Sequence, residues 1–169
     1  MLLSKDEWRK FIGGNTINFP YILVYTLGES NIDKFALNLA KNKGIRVLKI
    51  RGSLKDVINP NFCPVRGIGP GEWIKLFLNA TYVCTNSFHG IAFSINFNKP
   101  FFAELRLPPS KLNSRIENIL DLFELRSQLI IDGRNENIDT PIDWEKVNRK
   151  LDEEREKSLN YLRSIVCKE

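Results

Sequence analysis

Apolar runs along this chain alternate with stretches in which apolar residues return every three or four positions, the pattern of strands interleaved with helices. Tyr21–Leu27 (YILVYTL) is apolar almost throughout, as expected of a central parallel strand covered on both faces. Gly28-Glu29-Ser30 interrupts it. The spacing of Phe35, Ala36, Leu39 and Ala40 then predicts a helix over Ile32–Lys43, with Gly44 as its C-cap. Ile45–Ile50 (IRVLKI) reads as the next strand and completes a β-α-β unit with a right-handed crossover. Ahead of that unit, Ser4-Lys5-Asp6-Glu7 is a capping-box pattern that opens a short helix carrying Trp8, Phe11 and Ile12. Gly13-Gly14-Asn15 follows; with no strand before it, a helix C-cap and turn is a better reading than a phosphate loop.

Arg51–Ile68 has no helical period, and Asn59-Pro60-Asn61-Phe62-Cys63-Pro64 predicts a long loop, with Arg66 near its end. Pro70-Gly71-Glu72 opens a helix to about Asn79, with Trp73, Ile74, Phe77 and Leu78 facing inward. Thr81–Thr85 is a short buried strand that runs into the polar turn Asn86-Ser87-Phe88-His89-Gly90. Ile91–Phe97 has the content of a short buried helix, closed by Asn98-Lys99-Pro100, and a strand over Pro100–Ala103 follows. After a loop containing Pro108-Pro109, an amphipathic helix spans Ser114–Glu124, with Asn113 or Ser114 as N-cap. Leu129–Asp132 suits an edge strand. A final helix runs over Trp144–Val166, with Val147, Leu151, Leu159, Leu162 and Val166 on its buried face. This order predicts one α/β domain over residues 1–169: a three-layer, Rossmann-like parallel sheet of about five strands, with helices on both faces.

Composition narrows the function more than the fold. At 169 residues the chain is long enough for a hydrophobic core without disulfides or metals. The odd count of cysteines (Cys63, Cys84, Cys167), with no C-x-x-C spacing, points to reduced thiols in the cytoplasm. With a single histidine no metal site is expected. No apolar run approaches membrane-spanning length, and MLLSKDEW turns charged too early for a secretory segment. The net charge of +5 divides into +9 over residues 1–115 and −4 over residues 116–169. A basic front part suits nucleic acid or a small anion; without a basic-aromatic RNA motif or a basic heptad, a phosphate-bearing small molecule is the better partner.

The candidate chemistry collects at the turn after Thr85. A strand that hands over to a helix through a polar, glycine-containing turn aims free backbone N–H groups at whatever lies above the strand's end. His89 stands in that turn. Ser87 offers a hydroxyl that either caps the following helix or meets a phosphate, and Gly90 permits close backbone approach or helix packing. Arg115 sits in a first helical turn, where a cation opposes the helix dipole, so its charge is either wanted there or bridged to Glu117 or Asp121. Glu104 and Arg106 lie on the same rim and can pair with each other.

Thr85-Asn86-Ser87-Phe88-His89-Gly90 followed by Asn98-Lys99-Pro100-Phe101-Phe102 resembles the polysaccharide pyruvyl transferase family, whose usual form is Thr-Asp-Ser-Phe-His-Gly, a short helix, and Asn-Lys-Pro before an aromatic strand. Gly69-Pro70-Gly71-Glu72-Trp73 upstream and Asn113-Ser114-Arg115-Ile116 downstream match as well. The resemblance covers roughly Ile68 to the C-terminus and more loosely Tyr21–Leu27. Asn86 replaces the usual aspartate, and Ser87 stands where some members carry arginine. The resemblance implies the C-terminal, donor-binding half of a GT-B-type fold, with the glycine-rich N-terminal half of the family absent here.

It also implies a reaction: transfer of pyruvate from phosphoenolpyruvate to a sugar of a surface or extracellular polysaccharide. No cofactor is implied. The partners would be phosphoenolpyruvate, a sugar or lipid-linked saccharide acceptor and the missing half of the parent protein, in the cytoplasm or at the inner face of the membrane. His89 is then the catalytic candidate, as general acid or phosphate ligand. Asn86, Ser87, His89, Gly90, Ser114 and Arg115 are the donor- or phosphate-binding candidates. The chain alone is expected to turn over little substrate, because a cleft enzyme needs both walls. Two other readings fit the same turn: a nucleotide-sugar glycosyltransferase domain and a non-catalytic anion-binding module.

Overall fold

The computed structural model describes residues 2–13, 17–28, 30–50, 61–106 and 111–166. The chain opens with α1 (Lys5–Arg9), whose predicted capping box forms: Glu7 N–H donates to Ser4 Oγ, and the Ser4 N–H donates to the Glu7 carboxylate at 2.7 Å. The rest alternates: β1 (Tyr21–Tyr25), α2 (Ile32–Lys43), β2 (Arg46–Ile50), β3 (Phe62–Val65), α3 (Pro70–Asn79), β4 (Tyr82–Thr85), α4 (Phe88–Asn96), β5 (Phe101–Ala103), α5 (Asn113–Leu122) and α6 (Trp144–Val166). Among the described residues five strands form one parallel sheet in the order β3-β2-β1-β4-β5. This is the Rossmann-like α/β fold expected from the sequence.

Two buried clusters explain why the strands read as continuous apolar runs. Leu23, Val83 and Phe101 face α3, α4, α5 and the first half of α6, through Phe77, Ile91, Ile116 and Val147. On the opposite face Ile22, Val24, Cys84 and Phe102 meet the inner stripe of α2, namely Ile32, Phe35, Ala36 and Leu39. Cys84 is wholly enclosed there, and burial pushes its thiol well above the ordinary range. Iodoacetamide should therefore leave Cys84 unmodified in the native protein and label it once denaturant is added; mass mapping of the Cys84 peptide before and after unfolding checks this.

Four sequence expectations change. Inside the stretch read as a loop, Phe62-Cys63-Pro64-Val65 forms β3, which among the described residues is an edge strand paired only with β2. Its proline is tolerated because one side of the strand lacks a partner. Leu129–Asp132 does not form a strand. It makes isolated bridges, Ala103 to Leu129 and Ile131 to Arg134, because Asp132 (φ 49°) and Gly133 (φ 74°) turn the chain back at once. The helix after β4 starts earlier than the sequence suggests, at Phe88, which puts Phe88, His89 and Gly90 in its first turn. Finally, α6 buries Val147 and Leu151, whereas Leu162 and Val166 are 43% and 76% exposed. An apolar stripe shows which way a helix would pack, not how far the neighbouring domain extends to meet it. Gly13 is described and Gly14-Asn15 lie outside the described residues, as do Arg51–Pro60 of the long loop.

Candidate functional site at the carboxyl end of β4

The sheet order places β1 and β4 side by side, with the β1 crossover helix α2 on one face and the β4 crossover helix α4 on the other. Their carboxyl ends therefore bound the crevice where doubly wound sheets bind ligands. The turn 85–90 closes that crevice and is fastened to the end of β1 by three contacts. Thr85 Oγ1 donates to the Tyr25 carbonyl at 2.6 Å, and the Asn86 amide pairs with both backbone groups of Leu27. Leu27 N–H donates to Asn86 Oδ1 at 2.7 Å, while Asn86 Nδ2 donates to the Leu27 carbonyl at 3.2 Å. Thr85 Oγ1 also accepts from the Ser87 N–H at 3.1 Å, so a single hydroxyl organises the bend.

Gly90 completes the join. A Cβ built there falls 2.4 Å from Thr85 Oγ1, so α4 can begin this close to the strand only with glycine at that place. Gly71 has the same role in α3, where a Cβ would lie 2.4 Å from the Phe11 carbonyl oxygen. These close approaches account for Gly90 in the motif Thr85–Gly90 and for Gly71 in the motif Gly69–Trp73.

At the N-terminus of α4 Ser87 is the N-cap, but its hydroxyl makes no capping bond. Ser87 is 1% exposed, and its Oγ has no hydrogen-bond partner. The capping alternative is thus not taken, and a buried polar atom stands unsatisfied at the helix end, where such groups are rare. Among the described residues the N–H groups of Phe88, His89 and Gly90 also lack partners. His89 is exposed beside them, its ring edge-on to Phe88 at 5.7 Å between centroids. Asn86, by contrast, is fully buried, and its side chain is committed to Leu27.

Arg115 is exposed in the first turn of α5, and its guanidinium lies 4.4 Å from the centre of the Phe88 ring. This cation–π contact offsets a helix position that disfavours a cation. The expected alternative bridge does not form: Asp121 pairs with Arg126, and no described carboxylate pairs with Arg115. Arg115 also lines one edge of a groove of ≈ 410 Å³ with an apolar floor that includes Ala92, Ile119, Phe123 and Leu151. Ser114 is exposed, and its hydroxyl donates to the Lys111 carbonyl at 2.8 Å. Neither Asn113 nor Ser114 caps α5; Leu112 takes the N-cap position without a side-chain bond.

Three side chains of the rim have partners that sequence reading missed. Glu104, 6% exposed, accepts from Ser30 Oγ at 2.5 Å and from the Asn31 N–H at 3.0 Å, and so caps α2 from a distance. It is therefore not the partner of Arg106. The Arg106 Nε instead donates to the Asn86 carbonyl at 3.4 Å. Asn113 holds the backbone of Arg106 at both ends, accepting from its N–H at 2.9 Å and donating to its carbonyl at 3.2 Å. These pairs join positions between 7 and 74 residues apart, with no periodic signal to announce them. Among the described residues no three His, Cys, Asp or Glu side chains gather as a metal site, and no helix is long and apolar enough to cross a membrane.

The family model described as polysaccharide pyruvyl transferase matches residues 2–104. The match takes in the first two motifs, reaches further towards residue 1 than they do, and stops short of Asn113–Ile116. No curated protein matches the chain. Among solved structures, the UDP-GlcNAc 2-epimerase of Methanocaldococcus jannaschii is similar over 88% of this chain and 42% of its own, at 12% identity and a TM-score of 0.47. The E. coli heptosyltransferase with ADP-2-deoxy-2-fluoro heptose is similar over 70% of this chain and 48% of its own, at 9% identity and a TM-score of 0.45. The E. coli ADP-heptose heptosyltransferase II gives 90% and 53%, at 16% identity and a TM-score of 0.41. The chain thus spans less than half of the first two of these proteins.

Proposed function

The chain belongs to the polysaccharide pyruvyl transferase family, and from that premise we propose that it is the donor-holding half of a transferase that moves pyruvate from phosphoenolpyruvate onto a polysaccharide sugar. The observation that supports this reading is the first turn of α4. It lies at the crevice between β1 and β4, with three unpartnered N–H groups, an exposed histidine and a buried hydroxyl in want of a partner. A helix N-terminus built this way favours an anion, through its N–H groups and its dipole together.

The reaction asks for that charge pattern. The donor carries a phosphate and a carboxylate. Protonation of its methylene carbon leaves a cationic centre at the carbon that bears the phosphate. One sugar hydroxyl attacks that carbon, the C–O bond to phosphate breaks, and a second hydroxyl closes the cyclic ketal. Of the two hydroxyl protons, one ends on the new methyl group and the other leaves with phosphate. His89, exposed at the helix end, is placed to hand over the proton or to hold the phosphate. Arg115, steadied on Phe88 with no carboxylate partner among the described residues, suits an oxyanion in two-point contact. Ser114 stands beside it in the same exposed turn. Gly90 and Asn86 serve by shaping the turn.

Phosphoenolpyruvate titrated into the protein should bind more tightly than UDP- or ADP-sugars. Each of His89→Ala and Arg115→Ala should weaken that binding by about ten- to a hundredfold, equivalent to 1.5–3 kcal/mol, while the melting temperature stays nearly unchanged. Preference for a nucleotide sugar would favour a glycosyltransferase domain instead, and loss of stability with unchanged affinity would make the two residues structural.

A further inference from the structure

We propose that Arg106 is a second anion-binding cation of this site and that Asn113 is its positioning residue; the proposal rests on the anion-site reading above. The rim residue expected to neutralise Arg106 is spent elsewhere, because Glu104 gives both carboxylate oxygens to the start of α2. No described carboxylate lies within ion-pair distance of Arg106. Among the described residues its one side-chain hydrogen bond runs through Nε to the Asn86 carbonyl, at the turn that leads into α4. This contact uses the inner nitrogen of the guanidinium and leaves the two terminal nitrogens, which make the forked contact with a carboxylate or phosphate, without a partner among the described residues.

Its backbone is fixed more firmly than loop residues usually are. Asn113 bonds both its N–H and its carbonyl, which ties the end of the β5 strand segment to the first turn of α5. The same turn carries Arg115. Two arginines are thereby brought over one turn: Arg106 against Asn86 and Arg115 against Phe88, contacts two residues apart along the chain. Between those contacts lies Ser87, which adds no charge and has a buried hydroxyl without a partner.

The positive end of α4 and two guanidinium groups are therefore tied to the same short stretch, residues 86–88, and among the described residues neither arginine has a carboxylate partner. Like charges gathered this way repel until an anion arrives, so their placement is explained by a ligand with two separated anionic groups. A small phosphorylated carboxylate has that chemistry, and a lone phosphate satisfies half of it.

Calorimetric titration of the 169-residue protein and its variants with phosphoenolpyruvate and with inorganic phosphate tests this. Arg106→Gln should weaken phosphoenolpyruvate binding by about tenfold or more, the scale of one charge-assisted contact, and should leave the melting temperature within a few degrees. Arg106→Lys, which keeps the charge but not the fork, should fall between that variant and the parent. Asn113→Ala should lower both affinity and stability, with affinity partly recovered by lowering the salt concentration. The advantage of phosphoenolpyruvate over phosphate should shrink in Arg106→Gln. If Arg106→Gln binds like the parent while Arg115→Ala does not, Arg106 is no ligand and the anion site survives without it. A fall in melting temperature at unchanged affinity would likewise reduce Arg106 to a structural tie. If the parent protein binds neither compound, the site itself is wrong and this proposal goes with it.

Discussion

Gly90→Ala should cost about 2–4 kcal/mol of folding stability and weaken anion binding in the same variant. The added Cβ would stand 2.4 Å from Thr85 Oγ1 and 2.9 Å from both Thr85 Cβ and Cγ2. Rotating the threonine does not solve this, because its Cβ belongs to the strand and does not move with χ1. Its hydroxyl is also committed on two sides, to the Tyr25 carbonyl and the Ser87 N–H. The first turn of α4 must therefore lift off the end of β4, and with it go the N–H groups that face the crevice. For a chain of this size the melting temperature should fall by roughly 4–16 °C. Thr85→Ala in the same protein should recover part of the loss, since it removes Oγ1 and Cγ2, and a double-mutant cycle measures the share. An unchanged melting temperature would mean that the helix and strand are not in contact as described.

That sensitivity is also why this part of the chain was legible in advance. Thr85–Gly90 is a local device: the strand, the bend and the helix start are adjacent in sequence, so residue type and spacing carry the information. The β1-α2-β2 unit was legible for the same reason, with the helix stripe and Gly44 announcing the crossover. What the sequence hid is non-local or too short. Four residues of β3, one of them Pro64, carry no alternation to read; pairing with β2 alone makes them a strand. Glu104 and Arg106 read as rim residues able to pair with each other, and Asn113 as a candidate N-cap. Their roles come from partners at Ser30, Asn31 and Asn86, brought close only when α2, β4 and β5 assemble. The outer half of α6 erred the other way: Leu162 and Val166 have the spacing of a buried face and no surface of the described residues to cover them.

Asn86 is the position at which chemistry, not packing, should decide the outcome of a substitution. The family pattern usually has aspartate there, one nitrogen exchanged for one oxygen, so Asn86→Asp changes almost no volume. In this protein the amide is fully buried and works in both directions, accepting from the Leu27 N–H and donating to the Leu27 carbonyl. A carboxylate keeps the first contact and turns the second into oxygen facing oxygen, at a fully buried position. The variant should be destabilised at neutral pH by about 2–3 kcal/mol. The same penalty raises the folded-state pKa of the new carboxyl above the ordinary aspartate value of about 3.9, because burial and the facing carbonyl both disfavour the charge. A protonated carboxyl restores the donor, so the sign of the pH dependence follows. The group binds its proton more tightly in the folded state, so its full stability is present below the ordinary aspartate value of about 3.9 and is lost as pH rises through the raised folded-state value. Denaturant melts of the variant and the parent at pH 4, 5, 6 and 7 should show a gap that opens with rising pH. A gap that is constant across that range, or widest in acid, would mean that the Asn86 amide is not donating to Leu27.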